Sequence, residues 1–206
     1  MLRIDHVAYA VSDLDDAAER FRRDLGLDSR PGGRHPRWGT ANRIIPLVND
    51  YIELIGGVEE SASHTWVGRA VLERARDGGG WLAICAAADD LDAIARRLQL
   101  EISGGTRERP DGSVLRWRSA GLEDPRREPS MPFFISWEGR EDDHPGRLRA
   151  GHGVQVNGIA RVDVEGDAEA LDSWLGGAEL PIRVEAGVGG IRAVTLATHD
   201  GELVIG

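Results

Sequence analysis

The chain has 206 residues, 41% of them hydrophobic, with a formal net charge of −10 and one cysteine. That apolar fraction is ordinary globular usage and excludes a disordered chain, and a chain of this length buries roughly 70% of the surface its unfolded form exposes. The acidic balance argues against a nucleic-acid partner, which needs a basic face to neutralise phosphates. Cys85, alone inside WLAICAAA, excludes a disulfide framework and reads as a small core residue.

No apolar run is long enough to span a bilayer, and no charged-then-apolar leader precedes the first strand, so no membrane partner and a cytoplasmic location are expected. The Arg-rich stretches RPGGRHPR and PRREP are interleaved with acids and read as solvated loops.

Residues 2–11 alternate as a strand, with Val7, Tyr9 and Val11 on one face and Ile4, His6, Ala8 and Ala10 on the other. A helix follows over 13–25, capped by Ser12 with Asp15 as reciprocal partner; Leu14, Ala17, Ala18, Phe21 and Leu25 form its apolar stripe and Gly26 ends it. Residues 32–39 are a short strand or irregular. Strands follow over 40–48 and 51–55 around an Asn49-Asp50 turn. A connecting helix over 64–77 leads to a second copy of the pattern: a strand in WLAICAAA, a helix in DDLDAIARRL, then strands near 103–109, 114–119 and 132–137. Leu14 and Leu91 occupy matching places in the two copies.

Residues 138–153 are charged and Gly-containing and read as a linker. A third copy is expected beyond it, with a strand over 155–164, a helix over 168–175, and strands near 183–185, 191–198 and 202–205, the last two joined at Asp200-Gly201. The expectation is an α+β protein of three βαβββ units. Units 1–60 and 81–138 pair within a domain spanning 1–140, and the third unit spans 151–206. The first two can pair within the chain. The third has no sequence partner for its apolar Leu171, Trp174, Leu175 and Ile191, which either pack against the first two units or pair with another chain's copy; the long charged linker favours the second, a homodimer through that unit.

Repeated βαβββ units with a DLD-marked first helix resemble the vicinal oxygen chelate superfamily, which includes glyoxalase I, extradiol dioxygenases and bleomycin-binding resistance proteins. GGRHPRWGTANRIIPL together with MPFFISWEGREDDHPG resembles its glyoxalase-like branch. The resemblance implies sheets curled around a cavity holding a divalent metal, with one ligand on the first strand and a Glu on the last strand of each unit. In the first unit these places hold His6 and Glu53. In the second, counting from Leu91 lands on Ala83, and matching SWEG to ELIG lands on Ser136, with Glu138 two residues on. Half of the four-ligand set is present, whereas a catalytic metal needs about three protein ligands. His35 is the best placed residue to complete it.

For His6 and Glu53 three roles stay open: a metal pair, a hydrogen-bonded relic of one, or an acid–base site with Glu53 as general base. His35, Trp38 and Asn42 either shape a loop or touch a ligand from above the sheet, and Arg43 beside them suits an anionic group. Trp117, Phe134, Ser136 and Trp137 are either core or cavity wall. No GxSxG or GxGxxG motif is present. Two function classes follow. One is a lyase, isomerase or dioxygenase acting on a small oxygenated metabolite. The other is a non-catalytic protein that binds or sequesters a small molecule.

Overall fold

Alternating apolar residues and well-placed glycines build the first unit in the computed structural model, which describes residues 1–206. Strand β1 (Leu2–Ala10) leads into helix α1 (Leu14–Leu25), which buries Ala17, Ala18 and Phe21. The helix is capped by Asp13 rather than Ser12, because the Asp13 carboxylate accepts the Asp15 and Asp16 backbone N–H groups at 2.9 Å each. Strands β2 (Arg30–His35), β3 (Thr40–Pro46) and β4 (Tyr51–Gly57) follow, and β4 returns parallel to β1. Helix α2 (Trp66–Arg76) connects to the second unit, made of β5 (Gly80–Ala88), α3 (Leu91–Leu98), β6 (Ile102–Glu108), β7 (Val114–Ala120) and β8 (Phe133–Glu138).

The eight strands close into a barrel in the order β1-β4-β3-β2-β6-β7-β8-β5. Its two seams are unequal. β1 and β5 pair antiparallel along nearly their whole length, with irregularities between Ile4 and His6 and between Ala8 and Tyr9. β2 and β6 share only the Arg34–Glu108 pair. Gly33 is required there, since a Cβ at that position would fall 1.9 Å from the Glu108 carbonyl oxygen.

Beyond the barrel lie β9 (Val156–Glu165), α4 (Ala168–Leu175), β10 (Ile182–Glu185), β11 (Gly190–Thr198) and β12 (Gly201–Ile205). The element order repeats that of the first two units, but the strand order does not. The sheet runs β10-β9-β11-β12, with the first strand inside rather than beside the last.

This sheet does not stand apart. Val156, Val162, Val164, Val194, Leu196 and Ile205 share one core with Ile4, Val7, Val11, Phe21, Ile52 and Leu54 on the barrel's outer wall and α1. Trp174 stacks on Phe134 at 6.0 Å and donates its indole N–H to the Pro132 carbonyl at 2.8 Å. The apolar face expected to meet a second copy is therefore covered within the chain, and the stated reason for a homodimer falls away. The expected linker is also tied down. His144 is packed against Tyr51 and Trp137, and His152 bonds the Pro46 carbonyl at 2.9 Å. Charge and glycine content suggested mobility, but the buried Pro145 and the imidazoles anchor the segment.

Two outcomes follow. Trp174→Ala removes an aromatic that joins both layers, and urea unfolding is expected to show a loss of about 3–5 kcal/mol. The second concerns Asp50, whose carboxylate accepts the Ile159 N–H at 3.1 Å and so links the β3–β4 turn to β9. Burial raises the Asp50 pKa from 3.8 to about 6. A folded pKa above the unfolded one gives stability that is complete below the unfolded value and is lost as pH rises through about 6. Asp50→Asn keeps an acceptor without the charge. Its stability relative to the native protein is expected to rise by about 2 kcal/mol near neutral pH and above, and the gain should vanish toward acid. A pH-independent difference in unfolding free energy would refute this.

Candidate functional site

The barrel interior is built by alternation on its strands. β1 sends in His6 and Ala8, β4 sends in Tyr51, Glu53 and Ile55, and β8 sends in Phe133, Ile135 and Trp137. His35 and Trp38, at and just after the end of β2, close one end with Trp117 from β7. The cavity, partly open to the outside, has a volume of 60 Å³, enough for a small molecule or the reacting end of a larger one.

The irregularity in β1 shapes the site. A bulge at Asp5 turns Ile4 to the outer face with Val7 and lodges the Asp5 carboxylate beside His6. Asp5 Oδ1 lies 2.7 Å from His6 Nδ1, while Oδ2 accepts the Trp137 indole N–H at 2.9 Å and lies 3.0 Å from His144 Nε2. His144 Nδ1 accepts the Gly146 N–H, so its own proton sits on Nε2 and points at Asp5. Burial pushes the Asp5 carboxyl upward, but the bonds and charges of His144 and His6 outweigh it and hold Asp5 well below the usual carboxylate range. The ionised Asp5 takes the His6 Nδ1 proton as a hydrogen bond, which leaves Nε2 facing Glu53 Oε2 at 3.7 Å. Tyr51 stacks on the His6 ring at 4.6 Å and fixes its plane.

Glu53 is buried and accepts a short hydrogen bond from the Asn42 side-chain amide. Burial raises its pKa, yet His6, His35, the Asn42 amide and Arg107 together bring it below the usual glutamate value, so it is a carboxylate at neutral pH. His35 Nε2 lies 3.8 Å from Glu53 Oε1, and its Nδ1 lies 3.0 Å from the Thr40 hydroxyl. Burial pushes the His35 imidazole down to about 4, against the pull of Glu53, so it is neutral.

Of the residues singled out from the sequence, His6, Glu53, His35, Trp38, Trp117 and Trp137 line this cavity, and Asn42 touches it through Glu53. Three do not reach it. Arg43 lies on the outer face of β3, bonded to Ser29 Oγ at 3.0 Å and Asp15 Oδ1 at 2.9 Å. Phe134 faces outward onto Trp174, and Ser136 lies on the same outer side in a polar groove with Arg3 and Asp89. Strand parity is the reason: if Trp137 points in, Phe134 and Ser136 point out. Asp5, Tyr51, Arg107 and Phe133 escaped notice, and His144 reads in the sequence only as a loop-end residue. A bulge, a strand-end cation and a supposed linker carry no periodic signal.

Register also corrects the counterpart of Glu53. Ala8 pairs with Glu53 between β1 and β4, and Cys85 pairs with Phe133 between β5 and β8. Leu14 and Leu91 match, so Ala8 corresponds to Cys85 and Phe133, not Ser136, corresponds to Glu53. The four family positions are thus His6, Glu53, Ala83 and Phe133, and two of them have no donor atom. Asp5, His6 and Cys85 do bring one ligand atom each within 4.8 Å of one another. Asp5 and His6 are already bonded to each other, however, and the other Asp5 oxygen is engaged by Trp137 and His144. These donors do not fit a family-type divalent metal. Elemental analysis of protein purified without chelator is expected to find far less than one equivalent. Close to one per chain, lost in Glu53→Gln, would reverse this conclusion.

A barrel of two βαβββ units, with its polar groups concentrated on the first, defines a glyoxalase-like fold. The glyoxalase-like domain family model matches residues 4–180, and the chain belongs to this family. No curated protein matches it. Among solved structures, a hypothetical protein from Staphylococcus aureus shares the fold at 19% identity and a TM-score of 0.75, over 95% of this chain and 91% of its own. Methylmalonyl-CoA epimerase from Mycobacterium tuberculosis matches at 22% identity, a TM-score of 0.47, and 66% of this chain and 87% of its own. Streptomyces coelicolor methylmalonyl-CoA epimerase in complex with 2-nitronate-propionyl-CoA matches at 21% identity, a TM-score of 0.47, and 65% and 94% coverage.

Proposed function

We propose that this chain is an acid–base enzyme that moves a proton on a small oxygenated metabolite, at a carbon next to a carbonyl group. The observation that carries this reading is the buried Glu53 carboxylate set 3.7 Å from an imidazole nitrogen whose opposite side is fixed by Asp5. A carboxylate kept ionised in an apolar-walled cavity is a competent base once a substrate excludes water. Glu53 takes the proton from carbon. With Nδ1–H bonded to Asp5, Nε2 can donate only in the doubly protonated form of His6; in that form Nε2–H meets the negative charge that develops on the carbonyl oxygen, and the Asp5 carboxylate balances the charge on the ring. Return of the proton to the same or a neighbouring carbon gives exchange or isomerisation. His35, being neutral, offers a second hydrogen bond without adding charge.

The three indoles of Trp38, Trp117 and Trp137, in tilted contact at 6.1 and 5.5 Å, also suit a protein that only binds a flat molecule. Chemistry separates the two readings. Small 2-oxo acids and hydroxyketones are incubated with the protein in deuterated water, and loss of the α-proton signal is followed by NMR. Enzyme-dependent exchange is expected, falling by about 10²–10⁴-fold in Glu53→Gln. Because Glu53 is held below the ordinary range, the rate should stay level through mildly acidic pH and fall only once this carboxylate is protonated. Binding without exchange across the panel would leave the sequestering role.

A further inference from the structure

Arg107 on β6 is 2% exposed. Its Nε has no hydrogen-bond partner, and its guanidinium enters no ion pair. The other charges buried beside it are provided for: Asp5 has three partners, and Glu53 has the Asn42 amide. Glu53 feels the Arg107 charge without contacting it, and a buried cation with no directly bonded counter-ion is costly, since an arginine does not escape by losing its proton. Gly33 on β2 lies against the Arg107 side chain, where a Cβ would come within 3.0 Å of Cγ. Arg107 lines both the inner cavity and an outer crevice of 240 Å³ at the sparse β2–β6 seam. The same inner cavity holds Glu53 and His6.

We propose that Arg107 anchors the carboxylate of a short oxo or hydroxy acid, whose carbonyl-bearing end is thereby presented to Glu53 and His6. The second half of this statement rests on the proton-transfer reading above, and the first half does not. A planar carboxylate matches the guanidinium fork and supplies the direct ion pair it lacks. The 60 Å³ interior suits a short acid. Arg107 is thus a binding residue that sets substrate class.

The test measures binding apart from turnover. Pyruvate and lactate are compared with their uncharged mates pyruvamide and methyl lactate, by thermal shift and by calorimetric titration. The acids are expected to raise the melting temperature of the native protein and the neutral mates are not. Arg107→Met is expected to melt at or above the native temperature without ligand, because an unpaired buried charge is gone, and to lose the acid-dependent shift. Arg107→Lys should keep part of it. An equal response to acid and amide, no response to any of the acids, or a native-like shift in Arg107→Met would overturn the assignment. Should Arg107→Met fail to fold, the acid–amide comparison and Arg107→Lys decide. Glu53→Gln separates the two readings: it should keep the acid-dependent shift while losing proton exchange. A carboxylate-dependent shift with no exchange in the native protein removes the acid–base reading and leaves the anchor. Exchange that is equally fast on acid and amide removes the anchor alone.

Discussion

The interior of the barrel depends on one buried carboxylate. Asp5 gathers His6, Trp137 and His144, and with them a strand of the first unit, a strand of the second and the segment that leads out of the barrel. Burying such a group costs several kcal/mol, and three bonds of about 1.5–3 kcal/mol each to a charged acceptor offset that cost. The geometry is exclusive: any donor that leaves exposes the remaining charge to an apolar wall. The His6 ring is therefore held from behind by Asp5 and across its face by Tyr51, and its free nitrogen has one direction to point.

The two halves of the barrel have divided their work. Positions related by the repeat hold His6 and Glu53 on one side, Ala83 and Phe133 on the other. The first unit supplies the imidazoles of His6 and His35 and the Glu53 carboxylate. The second supplies aromatic walls and one cation, Arg107. A symmetric scaffold thus carries a polarised cavity, with the Glu53 carboxylate on one unit and the Arg107 guanidinium on the other.

Much of this was legible in the sequence. Apolar spacing located all four helices within a residue or two, and the βαβββ repeat located the strands. The phase of β1 sent His6 to the face opposite Val7, where it lies. The misses share a physical cause, which is that alternation fails where the backbone slips by one residue. The bulge at Asp5 moved Ile4 outward, and uncertain phase on β8 left Phe134 and Ser136 among the expected contacts. Arg107 gave no signal in the sequence, because nothing local says that the facing strand carries Gly33. The strand order of the third sheet depends on contacts between residues far apart, which no window of sequence contains.

The join between Trp81 and Ile205 has a temporal side. The Trp81 indole N–H donates to the Ile205 carbonyl at 3.1 Å, and Ile205 lies in the same core as Ile4 and Val7. Residues from the first strand of the barrel therefore wait for a partner some two hundred positions later. As the chain is synthesised, the barrel's outer wall emerges as a greasy, half-dressed surface and remains so until β12 arrives. Such long-range closure makes for slow folding, and it places the burden of keeping the nascent chain from sticking to its neighbours on the interval before the last strand docks.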